Sequence, residues 1–266
     1  VLYELMSDSA WSRQPIDLAQ WLPAYAANRY GSPDPTLAEA WSALHKSVYS
    51  SFTDHPTFGW QRLSMNRGTV YQGRDFVSAV QRFLSVADRF ESVPNYRDDA
   101  LEMAALALGL RAEEWFVAAR AAHDRGDRAS FCNSVSQGLA LLTQADQLLE
   151  CHSLLRLDLW IKHARNLRGS AQEKDAWEAS ARQIITVWGP PVNDYSCRVW
   201  SGLIRDFYIP RMKAMTDAMA EGRPFNRHEW EAAWVRKRGV STLKRLDRPA
   251  VKAAEWVTAA YDAEIP

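Results

Sequence analysis

Residues 96–124 read YRDDALEMAALALGLRAEEWFVAARAAHD, and residues 128–152 read RASFCNSVSQGLALLTQADQLLECH. Both stretches repeat apolar residues at spacings of three and four, which places them on one face of an α-helix. The residues expected to face inward are Leu101, Leu108, Ala112, Trp115, Phe116 and Ala119 in the first stretch and Val135, Leu139, Leu142, Ala145, Leu148 and Leu149 in the second. The sequence therefore predicts two long helices of similar length, joined by a turn.

Helical spacing continues on both sides of this pair, whereas runs of alternating apolar and β-branched residues are nearly absent. We predict an all-α fold, with residues 1–266 forming a single bundle-like domain of about nine to ten helices. Besides the central pair, helices are expected at the amino terminus and over about 18–30, 36–49, 74–93, 154–166, 172–187, 195–219, 227–237 and 249–261.

Local signals refine these boundaries. Thr36–Glu39 has the spacing of a capping box, and Pro94 is expected to end the helix that precedes it. Pro210 falls inside an amphipathic pattern and predicts a kink. Residues 50–73 are the least periodic stretch and predict a long loop.

Composition excludes several classes of protein. Lys plus Arg and Asp plus Glu are both 32, so no basic excess points to nucleic acid or to an anionic membrane surface. No stretch approaches the roughly 18 apolar residues of a membrane-spanning helix. The cysteines Cys132, Cys151 and Cys197 are too scattered for a disulfide framework and are expected to be buried thiols.

No metal or cofactor site is expected. The six histidines do not pair at the helical spacings of a metal site, so they are interpreted as solvated or capping residues. The phosphate-binding, dinucleotide-binding and nucleophile-elbow motifs are also absent from the sequence.

The segment from Arg182 to Tyr195 carries the candidate site. Trp188 ends a helix, Gly189–Pro191 form a rigid turn, and Tyr195 opens the next helix, so two aromatic side chains meet at one end of the bundle. An aromatic face and a phenol suit the C–H groups and hydroxyls of a sugar ring. The alternative is that both residues only seal the end of the bundle.

Two acidic residues near this segment, Asp194 and Asp206, lie among aromatic residues. A carboxylate in such surroundings needs a partner of opposite charge. The arginines that the sequence offers nearby are Arg198, Arg205 and Arg211.

The same region resembles a known family. ARQIITVWGP over residues 181–190, Asp194-Tyr195 and WSGLIRDFYIPR over 200–211 are similar to the α-N-acetylglucosaminidases of glycoside hydrolase family 89. The amino-terminal stretch VLYELMSDSAW over 1–11 and AWSALHKSVY over 40–49 agree in order. The chain departs from the family pattern at Arg97–Leu106 and at Ser180–Ile184.

The resemblance implies an architecture and a role. Family members carry two catalytic glutamates on a (β/α)₈ barrel, and a helical carboxy-terminal domain packs on it. This chain would be that helical domain, with residues 1–15 as the end of the barrel region and the catalytic glutamates upstream. The isolated chain is therefore expected to be inactive and to contain no catalytic residue.

The resemblance also assigns the site. Trp188 and Tyr195 would line the pocket for a glycan that ends in α-linked N-acetylglucosamine, while Arg182 and Asp194 would support the turn. The partners implied are this glycan and the barrel of the same polypeptide, with no nucleic acid and no membrane. The compartment implied is exported or periplasmic for a bacterial protein and lysosomal for an animal one. The competing interpretation is a helical scaffold or interaction module without a catalytic role.

Overall fold

A computed structural model describes residues 1–47, 57–68, 74–188, 194 and 196–265. This part of the chain is helical and contains no β-strand, which confirms the predicted all-α fold. Its helices are α1 (Leu2–Trp11), α2 (Leu18–Tyr30), α3 (Pro35–Ser47), α4 (Arg74–Leu84), α5 (Ala87–Phe90), α6 (Pro94–Asp124), α7 (Arg128–Leu149), α8 (Leu157–Arg165), α9 (Ala171–Ile184), α10 (Ile209–Ala220), α11 (Arg227–Val235) and α12 (Pro249–Asp262). A 3₁₀ turn covers Gly59–Arg62 and a π-helical turn covers Ile204–Tyr208.

The predicted central pair is α6 and α7, which pack against each other along their length. The Asp127 carboxylate caps α7 by accepting the Ser130 N–H at 3.1 Å. Gly138 lets the two helices approach closely, because a Cβ there would lie 2.8 Å from the ring of Phe116. Every inward-facing residue that the sequence predicts on these helices is buried except Leu139, which is partly buried. One continuous core therefore forms around the pair.

The other helices cover this hairpin from two sides. Helices α2, α4 and α12 pack on α6, while α10 and the π-helical turn pack on α7. The N-cap of helix α2 is Asp17, whose carboxylate accepts the Ala19 N–H at 2.9 Å, and the helix ends at Gly31 with φ of +83°. A positive φ at a helix end is the conformation that glycine adopts most easily.

Two predicted boundaries are wrong for local reasons. Helix α3 begins at Pro35 rather than at a Thr36 capping box, because the Asp34 carboxylate accepts the Leu37 N–H at 3.0 Å. Pro94 does not end a helix but lies in the first turn of α6, where its missing N–H costs no hydrogen bond. The predicted loop is described over 57–68, where it holds the 3₁₀ turn, and the rest of 48–73 before α4 lies outside the described residues.

The predicted helix over 195–219 is also wrong over residues 196–202, which are not helical. The Asp146 carboxylate on α7 accepts the Gly202 N–H at 2.7 Å and the Arg205 N–H at 3.2 Å, so regular helix starts only after Gly202. Ser201 instead forms a short bridge with the chain before α8. Pro210 lies in the first turn of α10, which begins after the π-helical turn. This π-helical turn is the helical irregularity found next to the predicted kink.

The cysteine prediction is correct for Cys151 and wrong for Cys132, which is exposed on the outer side of α7 next to the buried Phe131. Cys197 is half-buried. One histidine has the predicted capping role: His152 Nδ1 accepts the Leu154 N–H at 2.9 Å and the Leu155 N–H at 3.1 Å. In the described ranges no helix is long and apolar enough to cross a membrane.

Candidate functional site

The turn that follows α9 holds Trp188 at the protein surface. The Trp188 N–H donates to the Gln183 oxygen at 2.8 Å, and the Gln183 side chain donates back to the Trp188 oxygen at 3.1 Å. Trp188 is 45% exposed. The backbone of this tryptophan is thus held by two hydrogen bonds while much of its side chain faces outward.

The two ends of this turn are joined. The Asp194 N–H donates to the Thr186 oxygen at 2.9 Å, and the Thr186 hydroxyl donates to the Arg182 oxygen at 2.7 Å. These bonds place Asp194, the residue before Tyr195, next to the end of α9. Tyr195 itself and residues 189–193 lie outside the described residues, so the expected meeting of Trp188 and Tyr195 stays a prediction.

Asp194 belongs to a cluster of four charged side chains, of which Asp194, Arg211 and Glu231 are buried and Arg227 is partly exposed. Arg211 Nη1 donates to Asp194 Oδ1 at 3.0 Å, and Arg227 donates to the other carboxylate oxygen. Glu231 accepts from Arg211 and, at 2.7 Å, from Arg227 Nε. Two carboxylates and two guanidiniums offset each other's charge, which is the condition under which charges can be buried. We call these four residues the charge cluster.

The sequence predicted only part of this cluster. Arg211 was among the candidate partners of Asp194, whereas Arg227 and Glu231 come from α11 and were missed. Asp206, the other acidic residue singled out, lies 3.2 Å from the Ser241 hydroxyl and 3.6 Å from Arg205 Nε. It does not join the charge cluster in the described part of the chain.

Arg182 supports the end of α9 through a separate buried pair. It is 1% exposed and donates to Glu178 at 2.9 Å, and its guanidinium lies 4.8 Å from the ring centroid of Trp234 on α11. It also donates to the Gly239 oxygen. Arg182 and Asp194 thus fix the two ends of the turn through different contacts, and the described hydrogen bonds do not join their side chains directly.

Backbone conformations around the turn are strained. Trp188, Asp194 and Cys197 have φ of +28°, +56° and +42°. In the described ranges only Leu63 and Arg248 share this property among residues other than glycine. Positive φ is costly for a residue with a side chain, and such residues concentrate at functional sites because surrounding contacts must hold them.

The ionisable groups of the turn are buried or bound to other protein groups. Burial raises the pKa of the Cys197 thiol to about 11, so the thiol stays protonated at neutral pH. The carboxylates of Asp194 and Glu231 are 4% and 2% exposed and both hold guanidiniums. Among the described residues no group of three or more His, Cys, Asp or Glu could hold a metal ion.

A comparison with family models matches residues 21–255 to the α-N-acetylglucosaminidase (NAGLU) C-terminal domain. The human α-N-acetylglucosaminidase is 30% identical over 246 residues, which cover 87% of this chain and 33% of the human protein. A family 89 glycoside hydrolase from Clostridium perfringens, solved in complex with PUGNAc, superposes with a TM-score of 0.87 at 23% identity. That match covers 97% of this chain and 33% of the clostridial one.

A second structure of the Clostridium perfringens protein, in complex with its substrate GlcNAc-α-1,4-galactose, gives a TM-score of 0.83 at 24% identity over 98% of this chain and 33% of the clostridial one. The chain therefore spans about one third of the length of the relatives it matches. At these identities the structural likeness establishes the fold.

Proposed function

Because the chain belongs to the family of α-N-acetylglucosaminidase C-terminal domains within glycoside hydrolase family 89, we propose that it is the helical domain of a retaining α-N-acetylglucosaminidase. In this proposal Trp188 and Tyr195 form part of the wall of the sugar site. The catalytic carboxylate pair is supplied by a barrel domain of the same polypeptide. The reaction removes terminal α-linked N-acetylglucosamine from a glycan.

One observation carries the proposal: Trp188 is 45% exposed although the turn around it is anchored by buried ion pairs. A tryptophan that only seals the end of a bundle would gain stability by burying its ring. A backbone fixed at an unfavourable φ, with 45% of the residue still accessible, suits a side chain that contacts a ligand.

The surface of α1 supports the proposed packing on a barrel. None of its residues is buried, and Leu2, Tyr3, Met6 and Trp11 are among the large apolar side chains that are most exposed. Apolar side chains grouped on one short helix favour contact with another protein surface. The family places a barrel domain before this helix, so we propose that residues 1–15 are the end of the barrel region.

The experiment that tests the sugar wall is Trp188→Ala in the longer polypeptide that carries this domain. Losing one aromatic contact to the sugar is worth about 1 kcal/mol or more, so we expect kcat/KM for an aryl α-N-acetylglucosaminide to fall at least ~5-fold. The melting temperature should change little, because truncating a core tryptophan costs ~3–5 kcal/mol whereas Trp188 is half-exposed.

Trp177→Ala is the matched control, because Trp177 is 42% exposed on α9 and lies outside the turn. This variant should keep the wild-type kcat/KM. Tyr195→Phe removes only the hydroxyl and should lower kcat/KM while sparing stability. A Trp188→Ala enzyme that melts far below the wild type, yet keeps normal kcat/KM in its folded fraction, would favour the scaffold interpretation instead.

A further inference from the structure

The loop segment 57–68 is fixed to the middle of α6. Glu113 on α6 accepts the N–H groups of Gly59 and, at 2.9 Å, of Gly68, which brings the two ends of the segment together. Trp60 Nε1 donates to the Gly109 oxygen at 3.0 Å. Gly68 packs so closely on the backbone that a Cβ there would lie 2.0 Å from the Thr57 oxygen. The segment therefore presents its remaining side chains from a rigid base.

One of these side chains, Gln61, reaches the strained turn. It is 1% exposed, and its Nε2 donates to the Cys197 oxygen at 2.7 Å. Its backbone oxygen accepts from Arg211 Nη2 at 2.7 Å. Its Oε1 accepts the Phe58 N–H at 3.0 Å, which fixes the rotamer of the side chain.

These bonds reach Cys197 and Arg211, which both contact Asp194 at the far end of the turn. Cys197 has φ of +42°, and its thiol donates to the Asp194 oxygen. Arg211 forms the ion pair with the Asp194 carboxylate. Gln61 thus contacts two of the partners of Asp194 at once, from a segment that does not itself belong to the turn.

We propose that Gln61 is a positioning residue of the sugar site: it holds Cys197 and Arg211 so that Asp194 closes the turn and sets the orientation of Trp188. This inference rests on the proposed function. Gln61 would not touch the sugar and would act only through the turn. A purely structural glutamine would affect folding and leave the kinetics of the folded enzyme unchanged.

The test is Gln61→Met in the longer polypeptide that carries this domain. Methionine fills a similar volume but removes the donor to Cys197 and the acceptor for Phe58. We expect kcat/KM for an aryl α-N-acetylglucosaminide to fall about 5- to 10-fold in the folded enzyme, which corresponds to the loss of one to two hydrogen bonds. The inhibition constant of free N-acetylglucosamine should rise in parallel, because the displaced wall binds the sugar less well.

Gln61→Glu provides a second variant in case the methionine variant does not fold. Glutamate has a similar shape and keeps an oxygen for the Phe58 N–H, but it loses the donor to Cys197 and places a carboxylate oxygen against the Cys197 oxygen. The same fall in kcat/KM is expected. Wild-type kcat/KM and inhibition in a folded Gln61→Met or Gln61→Glu enzyme would overturn the inference.

Trp60→Phe is the matched control for loop stability. It removes the bond to Gly109 from the neighbouring residue, and none of its described hydrogen bonds reaches the turn. It should lower the melting temperature while keeping kcat/KM within about twofold of the wild type. Equal kinetic losses in Trp60→Phe and Gln61→Met at equal melting temperatures would also overturn the inference.

Trp188→Ala in the same assay distinguishes failure of the positioning role of Gln61 from failure of the proposed function. If Trp188→Ala lowers kcat/KM and Gln61→Met does not, the positioning role fails and the proposed function stands. If Trp188→Ala leaves kcat/KM unchanged, the proposed sugar wall fails, and the role of Gln61 fails with it.

Discussion

Arg211 Nη1 lies 3.0 Å from Asp194 Oδ1, and the two side chains are 0% and 4% exposed. Burying two charges costs several kcal/mol per ion before their attraction is counted. The protein offsets this cost with a second pair, Arg227 and Glu231, and with the Gln61 oxygen. The Asp194 end of the turn is therefore held by largely buried ion pairs, in which removing one charge leaves the others with less compensation.

We expect Asp194→Ala to lower the free energy of unfolding by about 3–5 kcal/mol, because Arg211 would stay buried with one carboxylate fewer. Denaturant unfolding followed by circular dichroism measures this loss. Lys213→Ala is the control: its pair with Asp217 joins side chains that are 61% and 45% exposed, and such pairs contribute less than about 1 kcal/mol. A loss below about 1 kcal/mol for Asp194→Ala would contradict the prediction.

Stability should also depend on pH through His152. Burial lowers the pKa of this imidazole below the usual ~6.5 although Asp98 and Asp99 act in the opposite direction, and its Nδ1 accepts two backbone N–H groups only while it is neutral. A lowered pKa in the folded state means that stability is present above pH ~6.5 and is lost as the pH falls toward the folded pKa.

The measurement for His152 is the change in the free energy of unfolding between pH 7 and pH 5. His152→Asn keeps an oxygen that can accept the same N–H groups but cannot titrate, so its loss between the two pH values should be smaller than that of the wild type. Other titrating groups are common to both proteins and cancel in the comparison. Equal losses in the two proteins would rule out the role given to His152.

The 266-residue chain alone should not hydrolyse an aryl α-N-acetylglucosaminide. Retaining glycosidases need two carboxyl groups about 5–5.5 Å apart beside the scissile bond. The carboxylates of the candidate site, Asp194 and Glu231, are buried and hold guanidiniums instead. Turnover that survives thorough purification, and that disappears when a residue of this chain is mutated, would refute the expectation.

The sequence predicts the central helices well because their signals are local. The apolar spacing of α6 and α7 and the cap at Asp127 act within a few residues, so they can be read without tertiary structure. Residues 196–202 show the opposite case. Their apolar residues also follow a helical pattern. However, the Asp146 carboxylate, 56 positions earlier in the chain, accepts the Gly202 N–H, and these residues do not form a helix.

Some residues of the candidate site could likewise be predicted from the sequence, and others could not. Trp188, Asp194 and the partner Arg211 come from one stretch of sequence and could be proposed together. Arg227 and Gln61 reach the same place from distant segments, and neither carries a motif that points there. Only the folded chain brings them to the turn, whereas the contribution of Tyr195 is still a prediction.

The distances along the chain between the partners of Gln61 have a consequence for the order of folding. Helices α6 and α7 are neighbours in sequence, so little chain entropy opposes their pairing. Gln61 instead bonds to Cys197 across 136 positions and to Arg211 across 150. Contacts that close such long loops form late, so we expect the turn to assemble on a finished hairpin. By the same reasoning the amide hydrogens of Asp194 and Cys197 should exchange sooner than those of α6 and α7.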